Sequence, residues 1–223
     1  RFFNDLHAVL IPVLWGNKEN HENALHIYLP ESMTTWIYLN LDCRVHDFKF
    51  WMAHELGHVY TPNLRNNDGE DFADAFAAAL LIPEELAAAE YEVLCRLPNI
   101  GMQINRIKSI AERLVVSPLT VYYEVNKYAE NSRNPKIDLE SGKEIHRATS
   151  NFNKQFNPLS ECLFGTKTPS PSRYIASARE HFSSPFFEII KSYLAEHHKS
   201  AGFLQSILNV PLLDARSLFE ALH

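Results

Sequence analysis

The chain of 223 residues has only three cysteines, and their positions exclude two common kinds of site. Cys43, Cys95 and Cys162 are odd in number, lie far apart and form no Cys-x-x-Cys pair. Neither a disulfide framework nor a thiolate zinc site is therefore expected. Cysteines that stay reduced are typical of a reducing compartment, so we expect a cytoplasmic protein.

Long apolar runs and an excess of basic residues are also missing. No stretch is apolar over the length that spans a bilayer, and no signal-peptide pattern occurs, so no membrane partner is expected. The formal net charge is −6, whereas general binding of nucleic acid needs a basic surface. Nucleic acid is therefore not an expected direct partner. Because the chain begins with Arg1 and not with Met, we expect a trimmed fragment.

The apolar patterning near the start of the chain predicts a small sheet of about three strands. The runs 9–15, 25–29 and 36–41 have strand character, and the first is expected at an edge because it contains Pro12. A turn is predicted at 16–20. No alternation of strands and helices follows, so the sequence predicts a mainly helical α+β fold and not a wound parallel sheet.

The pattern His54-Glu55-x-x-His58 is the most definite chemical statement in the sequence. A helix is expected from Asp47, a suitable N-cap, to about residue 60, because Pro62 cannot continue it. On a helix the two histidines lie one turn apart on one face and can bind one zinc ion, and Glu55 can reach a metal-bound water. The alternative is a surface helix that carries these residues by coincidence.

A catalytic zinc site needs a third protein ligand and one open position. Glu70 is the best placed candidate, because it opens the next helix twelve residues after His58. That helix is expected to be capped by Asp68 and closed by Pro83. Asp74 lies one turn after Glu70 and can accept a hydrogen bond from the far nitrogen of a ligand histidine.

The rest of the chain is predicted to be helical, with one interruption. The pattern suggests a domain at 1–134, a linker or mobile segment at 135–172 that is bounded by Asn-, Ser-, Pro- and Thr-rich stretches, and a C-terminal helical region at 173–223. Ser117 is expected to cap a helix. The further predicted helices are 84–97, 104–114, 119–128, 175–182, 186–195, 202–208 and 212–222.

Two motifs in order resemble the ImmA/IrrE family, the metallopeptidases of phage-immunity anti-repressors and radiation-response regulators. They are His54-Glu55-Leu56-Gly57-His58 and Glu70-x-x-x-Asp74-Ala75-Phe76-Ala77-Ala78-x-Leu80-Leu81-Ile82-Pro83. The resemblance covers about residues 1–130. Residues 135–223 do not match the pattern, and their role stays open.

The resemblance implies a zincin-like metallopeptidase core with Zn²⁺ held by His54, His58 and Glu70 and with Glu55 as general base. It implies a protein substrate, typically a repressor-type transcription regulator with a helix-turn-helix domain. Our first hypothesis is therefore a zinc-dependent endopeptidase that controls phage, mobile-element or stress genes.

Two other functions are considered. One is a zinc-containing sensing or binding module of a transcription regulator without turnover, because 202–222 weakly resembles a helix-turn-helix. Arg216 is the only base between Gly202 and Ala221, which favours a simple helical pair. The other is a purely structural zinc, which needs a fourth protein ligand that the sequence does not suggest.

An endopeptidase also needs a donor that stabilises the oxyanion of the transition state. Tyr60, His46 and His26 are candidates. The alternative roles are a packing aromatic for Tyr60, an exposed residue before the helix cap for His46, and a polar group on a strand face for His26. Trp51 can line the cleft or the core, and Cys43 can act as a redox-sensitive lid or, more commonly, as an inert buried thiol.

Overall fold

A computed structural model describes residues 2–16, 22–166 and 168–223. Within these ranges the chain forms three strands and twelve helices. The predicted turn at 16–20 lies, apart from Gly16, outside the described residues. The chain divides into two compact units, the sheet unit Arg1–Cys43 with Pro158–His223, and the helical unit Arg44–Asn157.

The sheet unit contains a mixed three-stranded sheet. Its strands β1 (Ala8–Val13), β2 (Ala24–Leu29) and β3 (Thr34–Asn40) lie in the order β1-β3-β2. β1 runs parallel to β3, and β2 runs antiparallel to it. The aromatic and β-branched run that forms β3 is thus the central strand. β1 is an edge strand, as Pro12 predicts, because proline cannot donate to a second neighbour.

The helices of the sheet unit lie at both ends of the chain. They are α1 (Phe2–Asp5), and, after the helical unit, α8 (Leu159–Phe164), α9 (Pro171–Phe182), α10 (Phe186–Glu196), α11 (Ala201–Leu208) and α12 (Leu212–Leu222). Side chains from this C-terminal region bond the backbone of β1. The Tyr174 hydroxyl donates to the carbonyl of Pro12, and the Ser184 hydroxyl donates to the carbonyl of Leu10. These bonds satisfy carbonyl groups of an edge strand.

The helical unit consists of six helices. They are α2 (Val45–Tyr60), α3 (Asn66–Leu81), α4 (Glu84–Arg96), α5 (Ile100–Leu114), α6 (Pro118–Asn131) and α7 (Glu144–Asn153). The last four enclose a core whose fully buried members include Leu94, Ile107, Ile145 and Ala129. Ser117 caps α6, as predicted, because its hydroxyl accepts from the backbone N–H of Leu119. The predicted fold class, mainly helical α+β with a small sheet and C-terminal helices, is confirmed.

The segment predicted as a linker or mobile stretch contains α7 and α8. Its first residues are held against α6, because the Asn126 side chain bonds both the N–H and the carbonyl of Ile137, at 2.9 and 3.0 Å. The Tyr122 hydroxyl donates to the same carbonyl at 2.9 Å. These bonds satisfy the backbone N–H and carbonyl groups of an extended stretch that has no hydrogen bonds of a helix or a sheet. The predicted domain boundaries themselves stay a prediction.

Two predicted helix caps are wrong. α2 begins at Val45 and not after Asp47, since the N–H of Phe48 already bonds the carbonyl of Arg44. α3 begins at Asn66, so Asp68 lies inside its first turn and does not cap it. The residues at the N-cap positions, Arg44 of α2 and Arg65 of α3, make no side-chain hydrogen bond to their helices. Both carboxylates still lie where the positive end of the helix dipole favours them.

No helix among the described residues combines the length and the apolar character that crossing a lipid bilayer requires.

A close approach of α2 to α3 fixes the geometry of the helical unit. A methyl group on Gly57 would lie 2.8 Å from the Cα of Ala73 and 3.2 Å from its Cβ. Ala73 and Ala77 are fully buried on the facing side of α3. Small residues on both helices therefore allow backbone-to-backbone packing that larger side chains would prevent.

We expect Gly57→Ala to destabilise the protein by about 1–3 kcal/mol, because the added methyl group collides with backbone that cannot move aside. The control is Gly101→Ala in α5, where the new methyl group meets nothing closer than 3.4 Å. The control should be neutral or stabilising, since alanine favours helix more than glycine. Chemical unfolding of both variants measures the difference, and equal effects would contradict the packing argument.

Candidate metal centre

Two histidines on α2 present ring nitrogens to each other. His54 and His58 are one helical turn apart, with their residues only 3% and 5% exposed. The Nε2 atoms of the two rings lie 3.1 Å apart, and the ring centroids are separated by 4.8 Å. The helical spacing therefore does what the sequence predicts, and it directs both nitrogens to one point.

Glu70 reaches the same point from the first turns of α3. Its Oε2 lies 3.2 Å from Nε2 of His54, and its Oε1 lies 3.5 Å from Nε2 of His58. The connection between the helices is a tight turn, in which the N–H of Leu64 bonds the carbonyl of Thr61. Gly69 packs against the Leu64 carbonyl, which a Cβ there would approach to 3.2 Å.

Asp74 orients the ring of His54. Its Oδ1 lies 2.8 Å from Nδ1 of His54, so the carboxylate accepts a hydrogen bond from the N–H group at Nδ1. The proton on Nδ1 leaves the lone pair on Nε2, which is the atom that faces His58 and Glu70. A carboxylate behind a ligand histidine is the usual arrangement in metal sites.

The two ring nitrogens and the two carboxylate oxygens of Glu70 are spaced as ligands of one zinc ion would be. Zinc bonds nitrogen and oxygen at about 2.0–2.2 Å in tetrahedral geometry, so neighbouring ligand atoms lie about 3.3 Å apart. The distances of 3.1, 3.2 and 3.5 Å among the two rings and the carboxylate bracket this value. A hydrogen bond between the histidines would explain only the first distance. The set of two imidazoles and one carboxylate is also one that zinc prefers.

Glu55 lies between the histidines in sequence and is 3% exposed. One of its carboxylate oxygens lies within 4.8 Å of a ring nitrogen of His58. A water molecule bound beside the histidines would be within reach of that oxygen. The geometry thus permits the proton transfer for which the sequence proposes Glu55.

Aromatic rings border the histidines. The ring of Trp51 meets the ring of His54 edge-on at 5.2 Å, and the ring of Phe50 lies 6.4 Å away. Tyr60 is 49% exposed at the end of α2, with its ring 5.5 Å from Phe76. Trp51 is therefore a neighbour of the candidate ligand His54, whereas Tyr60 packs against Phe76 of α3.

The structure places His46 away from the ligands and buries it. It lies eight residues before His54, about 12 Å along the helix at 1.5 Å per residue. Its residue is 2% exposed, whereas the alternative role given above is that of an exposed residue before the helix cap. The ring of His46 packs edge-on against the rings of Phe152 and Phe156, with centroid distances of 4.9 and 4.3 Å. The Nδ1 atom of the ring is buried without a hydrogen-bond partner among the described residues.

The two remaining candidates belong to the sheet unit. His26 lies on β2. Cys43 is buried, and its thiol donates to the carbonyl of Asn40 at 2.9 Å, which is the behaviour of a packed thiol. Neither Cys43 nor the exposed Cys95 and Cys162 forms a disulfide.

The model of the IrrE N-terminal-like domain, a peptidase family (Peptidase_M78), matches residues 11–126, which is 116 of the 223 residues. The chain belongs to this peptidase family. The match contains both motifs that carry the resemblance seen in the sequence, and it confirms that resemblance. A comparison with curated proteins gives no significant match. Family membership implies a metal, and the two histidines with Glu70 form a group that can hold one.

Residues on α6 were not singled out in the sequence, although they border this site. Thr120, Glu124 and Lys127 line a cavity that also contains Asp74. The signal in the sequence is their helical spacing on one face, which polar residues on any surface helix share.

We expect Asp74→Asn to weaken binding of Zn²⁺ by about 10–100-fold, the usual effect of removing the carboxylate behind a ligand histidine. Asp71→Asn is the matched control, because it removes the same charge from the same helix without a bond to His54. Competition with a chromophoric chelator measures both affinities. Equal losses in the two variants would show that only the overall charge matters.

We expect His46 to make stability depend on pH. Burial lowers the pKa of His46 below its ordinary value of 6.5, and Arg44 lowers it further, against the opposing effects of Asp47 and Glu112. The unfolded chain therefore binds a proton more readily, so stability is lost as the pH falls below about 6.5. His46→Phe should remove this contribution. The free energy of unfolding of both proteins between pH 5 and 8 tests it, and parallel curves would contradict it.

Proposed function

We propose that the protein is a zinc-dependent endopeptidase that cuts a protein substrate. The single observation that supports this most is the spacing of the Nε2 atoms of His54 and His58 and the carboxylate of Glu70, at 3.1–3.5 Å. Membership of a peptidase family supports the reaction class. The proposed ligands are these three side chains, with Asp74 holding the ring of His54.

Bound zinc would supply a Lewis acid that polarises the scissile carbonyl and makes water acidic enough to attack near neutral pH. Glu55 then accepts the proton of the attacking water and delivers it to the leaving amine. The burial of Glu55 and of both histidines keeps these groups in fixed positions, so little reorganisation is needed during the reaction. Trp51 limits access of solvent to the ring of His54 from one side.

The proposed substrate is a helix-turn-helix repressor, and the proposed compartment is the cytoplasm. The first rests on the resemblance of the two motifs to repressor-cleaving regulators. The second is supported by three cysteines without a disulfide. Direct binding of nucleic acid is not part of the proposal. Arg216 on α12 lies between the exposed acidic residues Asp214 and Glu220, which does not favour a DNA contact.

A zinc-containing regulatory module without turnover is the second candidate. It is favoured because two of the candidate oxyanion donors make other contacts. His46 packs between Phe152 and Phe156, and Tyr60 lies against Phe76. An endopeptidase needs a donor near the scissile carbonyl. The two candidates agree on metal binding and differ in turnover.

We expect Glu55→Gln to keep zinc and to lose cleavage by about 100-fold or more, because general-base catalysis contributes about 10²–10⁴-fold. His54→Ala should lose both zinc and cleavage. The measurement is incubation of each protein with the repressor encoded beside it, with and without a chelator, together with metal analysis. Glu92→Gln on α4 is a control for loss of one surface charge.

Cleavage that survives Glu55→Gln would exclude the proposed mechanism. Zinc binding by the wild-type protein without any cleavage of the repressor would support the regulatory module instead.

A further inference from the structure

A groove runs along α3 and α6, beginning beside the metal centre. Its first part is a cavity of about 270 Å³ between α2, α3 and α6. Its second part, of about 170 Å³, lies between α3, α4 and α6. The two parts share Ala75, Glu124 and Lys127, so they form one continuous depression. We call it the α3–α6 groove.

The groove is continuous with the candidate metal centre. Asp74 lines its first part and also accepts the hydrogen bond from Nδ1 of His54. Phe50 lines the same part, and its ring lies 6.4 Å from the ring of His54. A chain segment that occupies the groove would therefore pass beside Asp74, the residue that separates the groove from the ring of His54.

The dimensions and the lining of the groove suit an extended polypeptide. Lining residues extend from Asp71 on α3 to Ile82 just after it, and those on α6 extend from Thr120 to Asn131. Eleven helical steps at 1.5 Å cover about 16 Å on each helix. This length corresponds to about five residues of extended chain at 3.3 Å each. Four of the lining side chains are small and leave room for a backbone: Ala75, Ala78, Ala79 and Ala87.

The charge of the groove distinguishes between possible side chains of that polypeptide. The first part is lined by three carboxylates, of Asp71, Asp74 and Glu124, and by one ammonium group, of Lys127. Asp74 is bonded to His54, whereas Glu124 stands where the two parts of the groove meet. Burial raises the pKa of Glu124, Asp74 raises it further, and Lys127 opposes both effects. A cation from the substrate would compensate this carboxylate for the water it has lost.

We propose that the α3–α6 groove binds the substrate polypeptide on the side of the metal centre that Asp74 borders, and that Glu124 selects a lysine or arginine side chain there. This inference rests on the proposed function. Its basis is the position of the groove, which connects with the metal ligands through Asp74, and the presence of Glu124 at the junction of its two parts. Glu124 is thus a specificity-determining residue, with no part in the chemical step.

The test compares three pools of fluorescently labelled random dodecapeptides that carry arginine, glutamine or glutamate at one fixed position. Binding to zinc-loaded Glu55→Gln protein is measured by anisotropy, so the result does not depend on turnover. The arginine pool should bind about fivefold more tightly than the glutamate pool, as expected for a partly exposed ion pair. Adding Glu124→Gln should reduce this ratio to about one.

Two further variants serve as controls. Lys127→Gln should raise the preference for arginine, because it removes the only cation among the lining residues described. It also tests the groove if Glu124→Gln fails to fold. Glu92→Gln lies on the outer face of α4, 67% exposed, and should leave the ratio unchanged.

The proposal is overturned if no pool binds, if the arginine pool has no advantage, or if its advantage persists in the Glu124→Gln protein. Cleavage of the same pools by the wild-type protein separates the two proposals. An arginine preference that depends on Glu124 without any cleavage supports the groove and contradicts the endopeptidase. Cleavage without an arginine preference that depends on Glu124 supports the endopeptidase and contradicts the groove.

Discussion

The close contact between α2 and α3 is the constraint on which the candidate metal centre depends. Gly57 lies between the two histidines and has no space for a methyl group against Ala73. Because the backbones meet at this residue, the carboxylate of Glu70 arrives within 3.5 Å of both rings. A wider separation of the helices would leave two histidines without a third ligand. The glycine inside the His-Glu-x-x-His pattern thus has a structural role as definite as that of the histidines.

The same helix α3 also connects the metal ligands to the α3–α6 groove. One face carries Ala73 and Ala77 and packs against α2. The neighbouring faces carry Glu70 and Asp74, the proposed ligand and the side chain that bonds His54, and Ala75 and Ala79, which leave space along α6. Ligand, orienting group and groove lining therefore follow from the helical period of one sixteen-residue element. A displacement of α3 would alter all three together.

Much of the fold and most residues of the candidate metal centre could be predicted from the sequence, since both depend on local sequence patterns. The ligand motifs, the edge position that Pro12 indicates and the C-terminal helices are of this kind. The burial of His46 could not be predicted, because the rings that pack against it, of Phe152 and Phe156, lie more than a hundred residues later in the sequence. The ion pairs of Arg106 and Arg113 with the buried carboxylate of Glu90 could not be predicted either, since they depend on how α4 and α5 pack. The starts of α2 and α3 differ from the predicted ones because neither helix has a capping side chain that would mark its start in the sequence.

The coordination of a bound ion tests the central claim most directly. Crystals of the protein with zinc, measured on both sides of the zinc absorption edge, would locate the ion by its anomalous scattering. We expect one ion bonded to Nε2 of His54, Nε2 of His58 and the carboxylate of Glu70, with the remaining position held by a group from outside the protein. An ion coordinated by other residues, a fourth protein ligand, or Glu70 turned away from the two rings would contradict it.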